Sequence, residues 1–515
     1  VTGLSRHKVV AVLAAAALVL AGCGSRAITG DFSPGPAGSG APAGAAPVQP
    51  VNWQPCPGVI AQLSGGQANP NFTYSCGSVS VPQDWSHPGG GTFQISLVRA
   101  KSKNQHNRIG SLLVNPGGPG AAGTQLALYL TQSLPTDVTS RFDLVGFDPR
   151  GVGRSAPVKC IPDTLKDKIT ALTPDPTTPE EFDQQVALSR QVTQLCQNAY
   201  PKNLPLYTTD QTARDLDAIR AAVGDKKLTY LGFSYGTELG ATYAHLFPTN
   251  IRALVLDGAV DPKLDLVQSS EGQAAGFERA FTNFANDCRQ HSSCPIGGDP
   301  QGSVMSLLRQ LKARPLPLPD GRKFTDGLAF TGVLQALYQR SAWSIMAAGV
   351  QQALAGQPEQ LLLLADQYNG RSQDGTYDNQ TDAFITIGCN DDDTKVTLNQ
   401  IRGYQAQWRA RYPLTGGSLA SGMISCTVWQ PTRDPVDVGA ATGAPPIVVV
   451  GTINDPATPY KNTASLARLL GTGVVLTWQG EGHTAYPITQ CIRDAVDDYL
   501  IDLRPPAANT TCPTG

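Results

Sequence analysis

Histidine is scarce in this chain, with six in 515 residues, and charge is modest, with 16% Asp, Glu, Lys and Arg and a formal net charge of -2 at pH 7. That balance, with no basic run beyond the N-terminus, argues against nucleic acid or an acidic surface as a partner. No C-x-x-C pair and no Cys/His cluster at zinc spacing occurs, so no metal is expected. A long apolar run is missing as well: residues 9–20 fall short of the ~20 that cross a bilayer. With 41% hydrophobic residues the chain still has enough to bury one large core and a second substantial lobe.

What is present begins with a targeting segment. Arg6, His7 and Lys8 precede the apolar run, which ends in Leu20-Ala-Gly-Cys23. That tetrapeptide resembles the lipobox of bacterial lipoproteins, which implies a signal peptide over 1–22 and acyl chains on Cys23; a plain secretory signal is the alternative. Two or more chains on one residue suffice for stable anchoring. Residues 24–50 are rich in Gly, Ala, Pro and Ser without apolar periodicity, so 23–50 reads as a lipidated cysteine and a flexible tether. The expected location is outside the cytoplasm, anchored to the outer membrane face through Cys23, with release to the envelope or medium as the alternative.

Cysteine usage agrees with export. Of 11 cysteines, setting Cys23 aside leaves ten, an even number that suggests five disulfides. Connectivity does not follow from sequence. The working assumption pairs neighbours along the chain: Cys56 with Cys76, Cys160 with Cys196, Cys288 with Cys294, Cys389 with Cys426, and Cys491 with Cys512.

From residue 51 the pattern is that of an α/β protein. Segments 72–81 and 92–100, rich in β-branched and aromatic residues and joined by turn residues, read as a hairpin. Short apolar runs follow at 111–114, 142–147, 228–233, 253–256, 447–450 and 474–478, separated by helical stretches such as 212–223 and 238–246. Buried strands alternating with helices imply a mostly parallel sheet covered on both faces, with function at the strands' C-terminal ends. Between 261 and 444 the strand signal gives way to helical patterns at 273–288, 303–311, 331–354 and 359–368. This predicts a core over 51–260 and 445–515, interrupted by a helical lid over 261–444, between the sixth and seventh strands.

The chemistry centres on Gly232-Phe-Ser-Tyr-Gly236, where a strand runs into a helix. A G-x-S-x-G string arises by chance in a glycine-rich chain, but a strand before it and a helix after it are the setting of a nucleophile elbow. Ser234 is then the nucleophile. Asn115-Pro-Gly-Gly-Pro-Gly120 follows another strand, where an acyl-transfer enzyme needs a backbone N–H for the oxyanion. Gly118 and Tyr235 are the expected donors, with Gly117 as the alternative to Gly118. The turn Phe147-Asp-Pro-Arg-Gly-Val-Gly-Arg-Ser155 reads as structural support for that loop.

Elimination finds the base. His7 belongs to the signal, His87 and His106 to hydrophilic turns, His245 to the helix after the elbow, and His291 to the Cys288–Cys294 loop. His483, in Gly480-Glu-Gly-His-Thr484 after the last apolar strand, remains. The acid should follow the preceding strand, and Asp455 in Thr452-Ile-Asn-Asp-Pro-Ala-Thr458 does; Asp257 is the rival.

These motifs resemble the α/β-hydrolase family of secreted tripeptidyl aminopeptidases and mycobacterial lipoprotein serine hydrolases. The likeness runs from about residue 53 to 512 and includes Ile387-Gly-Cys-Asn-Asp391 and Cys426-Thr-Val-Trp429 ahead of a C-terminal segment like that of the tripeptidyl aminopeptidases. It implies serine exopeptidase chemistry without a cofactor, under an inserted lid, with oxidised cysteine pairs. The expected function is release of short peptides from free N-termini through an acyl-enzyme. A carboxylesterase or lipase using the same triad is the alternative, and a non-catalytic surface lipoprotein the third reading. An aminopeptidase needs a carboxylate to receive the substrate's α-ammonium, and the candidates are Asp391, Asp392 and Asp393, of which the family pattern favours Asp391, and Glu238, one turn after the nucleophile.

Overall fold

The computed structural model describes residues 49–514. The signal-like segment 1–22, Cys23 and all but the last two residues of the tether lie outside them. Nine strands form one sheet: β1 (Phe72–Pro82), β2 (Thr92–Ser102), β3 (Gly110–Asn115), β4 (Phe142–Phe147), β5 (Leu228–Phe233), β6 (Ile251–Asp257), and, after a small β7/β8 hairpin (Leu316–Pro317, Lys323–Phe324), β9 (Ile447–Asn454), β10 (Gly473–Glu481) and β11 (Thr510–Cys512). Their order is β1-β2-β4-β3-β5-β6-β9-β10-β11. The hairpin strands pair antiparallel with each other and β2 pairs antiparallel with β4. From β4 onward every pairing is parallel.

Both faces of this sheet are covered, and the sequence shows why. Every residue of β3, β4 and β5 is buried. Successive side chains point to opposite faces. Accordingly Leu113, Tyr230 and Val449 join one apolar cluster, while their neighbours Leu112, Leu231 and Val448 join another. A strand with two buried faces cannot alternate apolar with polar, which is why these segments appear as unbroken apolar runs.

Between β6 and β9 the chain builds helices. Leu266–Gln290, opened by an Asp265/Gln268 capping box, packs Phe277, Phe281 and Phe284 against Pro300–Ala313, Asp326–Leu337, Trp343–Leu354 and Glu359–Tyr368. The predicted helix over 331–354 is two helices. Gln339 is extended (φ -141°, ψ 127°) and bridges to Gly482, so its backbone serves a neighbouring loop instead of continuing the turn. Among the described residues no helix is long and apolar enough to cross a membrane.

The helical region is stitched to the sheet on both sides. Helix Pro179–Ala199, which the sequence reading left unassigned within the core, packs Phe182 and Val186 against Ile401, Trp408 and Met423 of the insertion, while its Val192 and Cys196 join the core. In the other direction, Ala383, Ile387 and Cys389 of helix Gln380–Asn390 pack into the main core. Five disulfides join Cys56 to Cys76, Cys160 to Cys196, Cys288 to Cys294, Cys389 to Cys426 and Cys491 to Cys512. The last pins the short strand β11 to helix Gln490–Asp502.

Candidate active site

Strands β3, β5, β9 and β10 run parallel, so the loops leaving their C-terminal ends meet at one edge of the sheet. Ser234 caps β5 with φ 55° and ψ -125°, a conformation that costs a non-glycine residue about 1–3 kcal/mol and needs surrounding structure to hold it. The flanking glycines supply the room. A Cβ on Gly232 would stand 2.3 Å from the carbonyl oxygen of Gly236, and one on Gly236 would stand 2.9 Å from the Asn115 side chain. The Ser234 N–H donates to the Asp257 carbonyl at 2.9 Å, and its own carbonyl accepts from the Thr237 N–H and hydroxyl at 2.8 and 2.7 Å.

The glycine loop after β3 lies against this elbow. A Cβ on Gly117 would come within 2.9 Å of the Ser234 Cβ and 3.0 Å of the Tyr235 nitrogen. The N–H of Gly117 is already committed to Asn115 Oδ1, at 2.9 Å. Gly118 lines the same cavity as Ser234. Tyr235 opens the following helix, so its N–H is among those without an intrahelical acceptor. Behind the loop, Asp148 accepts from the Thr124 N–H and hydroxyl (3.0 and 2.8 Å) and from the Arg154 N–H (2.9 Å). Arg150 and Asp215 form a fully buried ion pair at 2.6 Å. Residues 147–155 thus brace the helix that the glycine loop enters.

His483 follows β10 and Asp455 follows β9. Nδ1 of the imidazole lies 2.9 and 3.0 Å from the two Asp455 oxygens. Asp455 is fully buried and further fixed by the Ala457 and Thr458 N–H groups, at 2.9 and 2.8 Å, and by the Thr458 hydroxyl at 2.9 Å. Burial alone would lower the His483 pKa, but the Asp455 charge and hydrogen bond, with Asp257 adding, outweigh it and raise the pKa above the ordinary value. Asp257 itself turns elsewhere, accepting from the Ala485 and Tyr486 N–H groups at 3.0 and 2.8 Å, and burial pushes its carboxyl up to about 7. It steadies the segment after His483, and Asp455 is the acid on the imidazole.

The helical region also grips this histidine. The His483 N–H donates to the Tyr338 carbonyl at 2.7 Å, Gln339 Nε2 donates to the His483 carbonyl at 2.7 Å, and the Tyr338 ring sits edge-on 5.6 Å away. Ser234 and His483 open into one cavity of about 1210 Å³. Helix Leu266–Gln290 gives it a polar wall with Gln273, Asn283, Asn286 and Asp287. Leu126, Leu130, Phe384, Tyr486 and Ile488 supply an apolar one, on which Phe384 and Ile488 remain 53% and 46% exposed.

Asp391 and Glu238, the acids expected to meet a substrate ammonium, do not line this cavity. Asp391 accepts from the Thr209 N–H and hydroxyl at 2.9 and 2.7 Å, and Thr209 in turn bonds the Tyr235 hydroxyl. Burial, with the charges of Glu238 and Asp434, holds the Asp391 carboxyl well above the usual range. It stands behind Tyr235, and Glu238 nearby is pushed up to about 7 by burial. The carboxylates in the cavity wall are Asp287 and Glu481, which no sequence motif marked. Glu481 had one signal: it lies two residues before His483. Among the described residues no group of histidines, cysteines and acids is arranged to hold a metal.

The sequence has named relatives. It is 37% identical over 526 residues to serine protease Hip1 of Mycobacterium tuberculosis, covering 98% of this chain and 96% of that protein. It is 35% identical over 493 residues to carboxylesterase B of the same species, covering 92% of each. Tripeptidyl aminopeptidase of Streptomyces lividans is 31% identical over 453 residues, covering 85% of this chain and 83% of that one. A family model for the alpha/beta hydrolase fold matches residues 110–486, which reach from the start of β3 past His483 to Tyr486. With a strained serine at the elbow and an Asp-paired histidine at the same sheet edge, the chain belongs to the α/β-hydrolase family, and it is a serine hydrolase.

Proposed function

We propose that this protein is an exported exopeptidase that releases short peptides from free N-termini, with Ser234, His483 and Asp455 as its triad. Ser234 Oγ attacks the scissile carbonyl carbon while His483 Nε2 takes its proton. Asp455 holds the imidazole in the tautomer that leaves Nε2 free and stabilises the imidazolium. The N–H groups of Gly118 and Tyr235 receive the oxyanion. His483 then gives its proton to the departing amine, an acyl-enzyme remains on Ser234, and water attacking through the same base frees the acid and restores the hydroxyl.

The observation that carries this reading is the Asp455–His483 pair opening, with Ser234, into one cavity whose polar wall suits a peptide. The insertion over 261–444 acts as its lid and limits which chains enter. A fluorophosphonate probe should label the wild type and not Ser234→Ala. Free-amine tripeptide anilides should be hydrolysed in preference to their N-acetyl forms. Labelling of the alanine variant would remove Ser234 from the mechanism.

An esterase reading has its own support in the apolar wall and in a relative named carboxylesterase B. Faster turnover of short acyl esters than of free-amine anilides would favour it. The Leu20-Ala-Gly-Cys23 string and five disulfides support export with a lipid anchor at Cys23. Radiolabelled fatty acid should enter the wild-type chain and not Cys23→Ala.

A further inference from the structure

Glu481 ends β10, opposite Asn454 in register and two residues before His483, and its side chain lines the cavity that holds Ser234. One carboxylate oxygen accepts from Asn283 Nδ2 at 2.8 Å. The other is buried and has no hydrogen-bond partner. Of the cations around it, Arg340 pairs with Asp287 at 2.7 Å, and Arg279 donates through Nη2 to the main-chain carbonyl of Asp455 at 2.8 Å while its Nε, also buried, makes no hydrogen bond. A carboxylate in the wall of the cavity that holds Ser234 therefore has an unused acceptor. That is an expensive arrangement in a protein interior unless something arrives to use it.

We propose that Glu481 receives the free α-ammonium of the substrate, with Asn283 on the lid helix holding the carboxylate in place. The proposal rests on the exopeptidase reading and names its recognition element.

The chemistry fits at both ends. A primary ammonium is a compact charge with three donors, matched to a carboxylate that has one oxygen already fixed and one free. Burial pushes the Glu481 carboxyl up to about 7, against the Asn283 hydrogen bond and the charges of Arg279 and Arg340, while Asp287 pushes the same way as burial. An arriving ammonium adds to the two arginine charges that already favour the ionised carboxylate.

Position supplies the ruler. Two residues of extended chain span at most about 7 Å, so the Glu481 Cα lies within that distance of the His483 Cα. A peptide whose N-terminus is held there has its scissile carbonyl only a few residues along, which bounds the fragment released to a short one. A carboxylate on the outer rim of the lid would impose no such limit.

The test uses one tripeptide p-nitroanilide in free-amine and N-acetyl forms, with wild type and Glu481→Gln, each preparation's active sites counted with a fluorophosphonate. The wild type should prefer the free amine, and the ratio of kcat/KM between the two forms should fall about tenfold or more in Glu481→Gln, mainly through KM. Glu481→Asp, which keeps the charge, should recover part of the ratio. An unchanged ratio would overturn the assignment. So would an equal fall for both forms, which would mean that Glu481 acts through His483, or a loss that follows a lysine side chain in an N-acetyl peptide. A wild type with no preference for the free amine would instead defeat the exopeptidase reading itself.

Discussion

Asp455→Asn puts the triad's geometry to a quantitative test. Asp455 Oδ1 accepts two main-chain N–H groups, from Ala457 at 2.9 Å and Thr458 at 2.8 Å, so an asparagine must keep its oxygen there. Its NH₂ then occupies the Oδ2 site, 2.9 Å from His483 Nδ1. A donor at that point competes with the 3.0 Å contact between Nδ1 and the Oδ1 site and favours an accepting Nδ1, which moves the ring proton to Nε2, the atom that has to receive the serine proton. The wrong tautomer should lower kcat by about 10⁴, or about 5 kcal/mol of transition-state stabilisation, with KM changed little. Stability should fall by about 1–3 kcal/mol, because the Oδ2 site gives up two accepted bonds, the 2.9 Å one from the Thr458 hydroxyl and the long 3.3 Å one from the Thr484 N–H. The assay is kcat on a tripeptide anilide alongside the rate of fluorophosphonate inactivation, which depends on the same base. Asp455→Asn retaining more than about a tenth of wild-type kcat would refute the tautomer argument, and an equal collapse in Asp257→Asn alone would transfer the role to that residue.

Three further outcomes follow from the site and its supports. The active base is neutral imidazole and its pKa is raised, so kcat/KM should decline as pH falls, with a midpoint above the ordinary 6.5; a midpoint at or below that value in a pH series would contradict the Asp455 pairing. Gly232→Ala places a methyl group 2.3 Å from the Gly236 carbonyl, forcing the elbow open, and should cost about 10² or more in turnover while circular dichroism reports a folded chain; near-normal turnover would count against a strained elbow. Replacing Cys389 and Cys426 by serine releases a loop closed over a sequence separation of 37 and should lower unfolding free energy by about 3–4 kcal/mol in urea titrations, whereas a change under about 1 kcal/mol would show that packing alone holds helix Gln380–Asn390.

The candidate site was legible because its pieces are local in sequence and scarce. The elbow announces itself through Gly232 and Gly236, and with six histidines in the whole chain the search for a base ended quickly at His483. Unbroken apolar runs such as 228–233 placed the strands, since residues buried on both faces leave no other pattern. The substrate-facing acids were not legible in the same way. Asp391 lies in the string Ile387-Gly-Cys-Asn-Asp391, yet its carboxylate accepts from Thr209; Glu481 lies in the string that carries His483, and only the packing of Asn283 against the end of β10 marks it as facing the cavity. The break between helices Asp326–Leu337 and Trp343–Leu354 was hidden for a related reason. Its cause, the loop carrying His483, lies far away in sequence.

Two hydrogen bonds, from the His483 N–H to the Tyr338 carbonyl and from the Gln339 amide to the His483 carbonyl, make the roof and the proposed proton acceptor one mechanical piece. Gentle heating or low denaturant that loosens those helices should therefore silence the enzyme while the sheet beneath is still intact. A compound wedged between residue 339 and residue 482 would switch the protein off from outside the cavity, without competing for the serine.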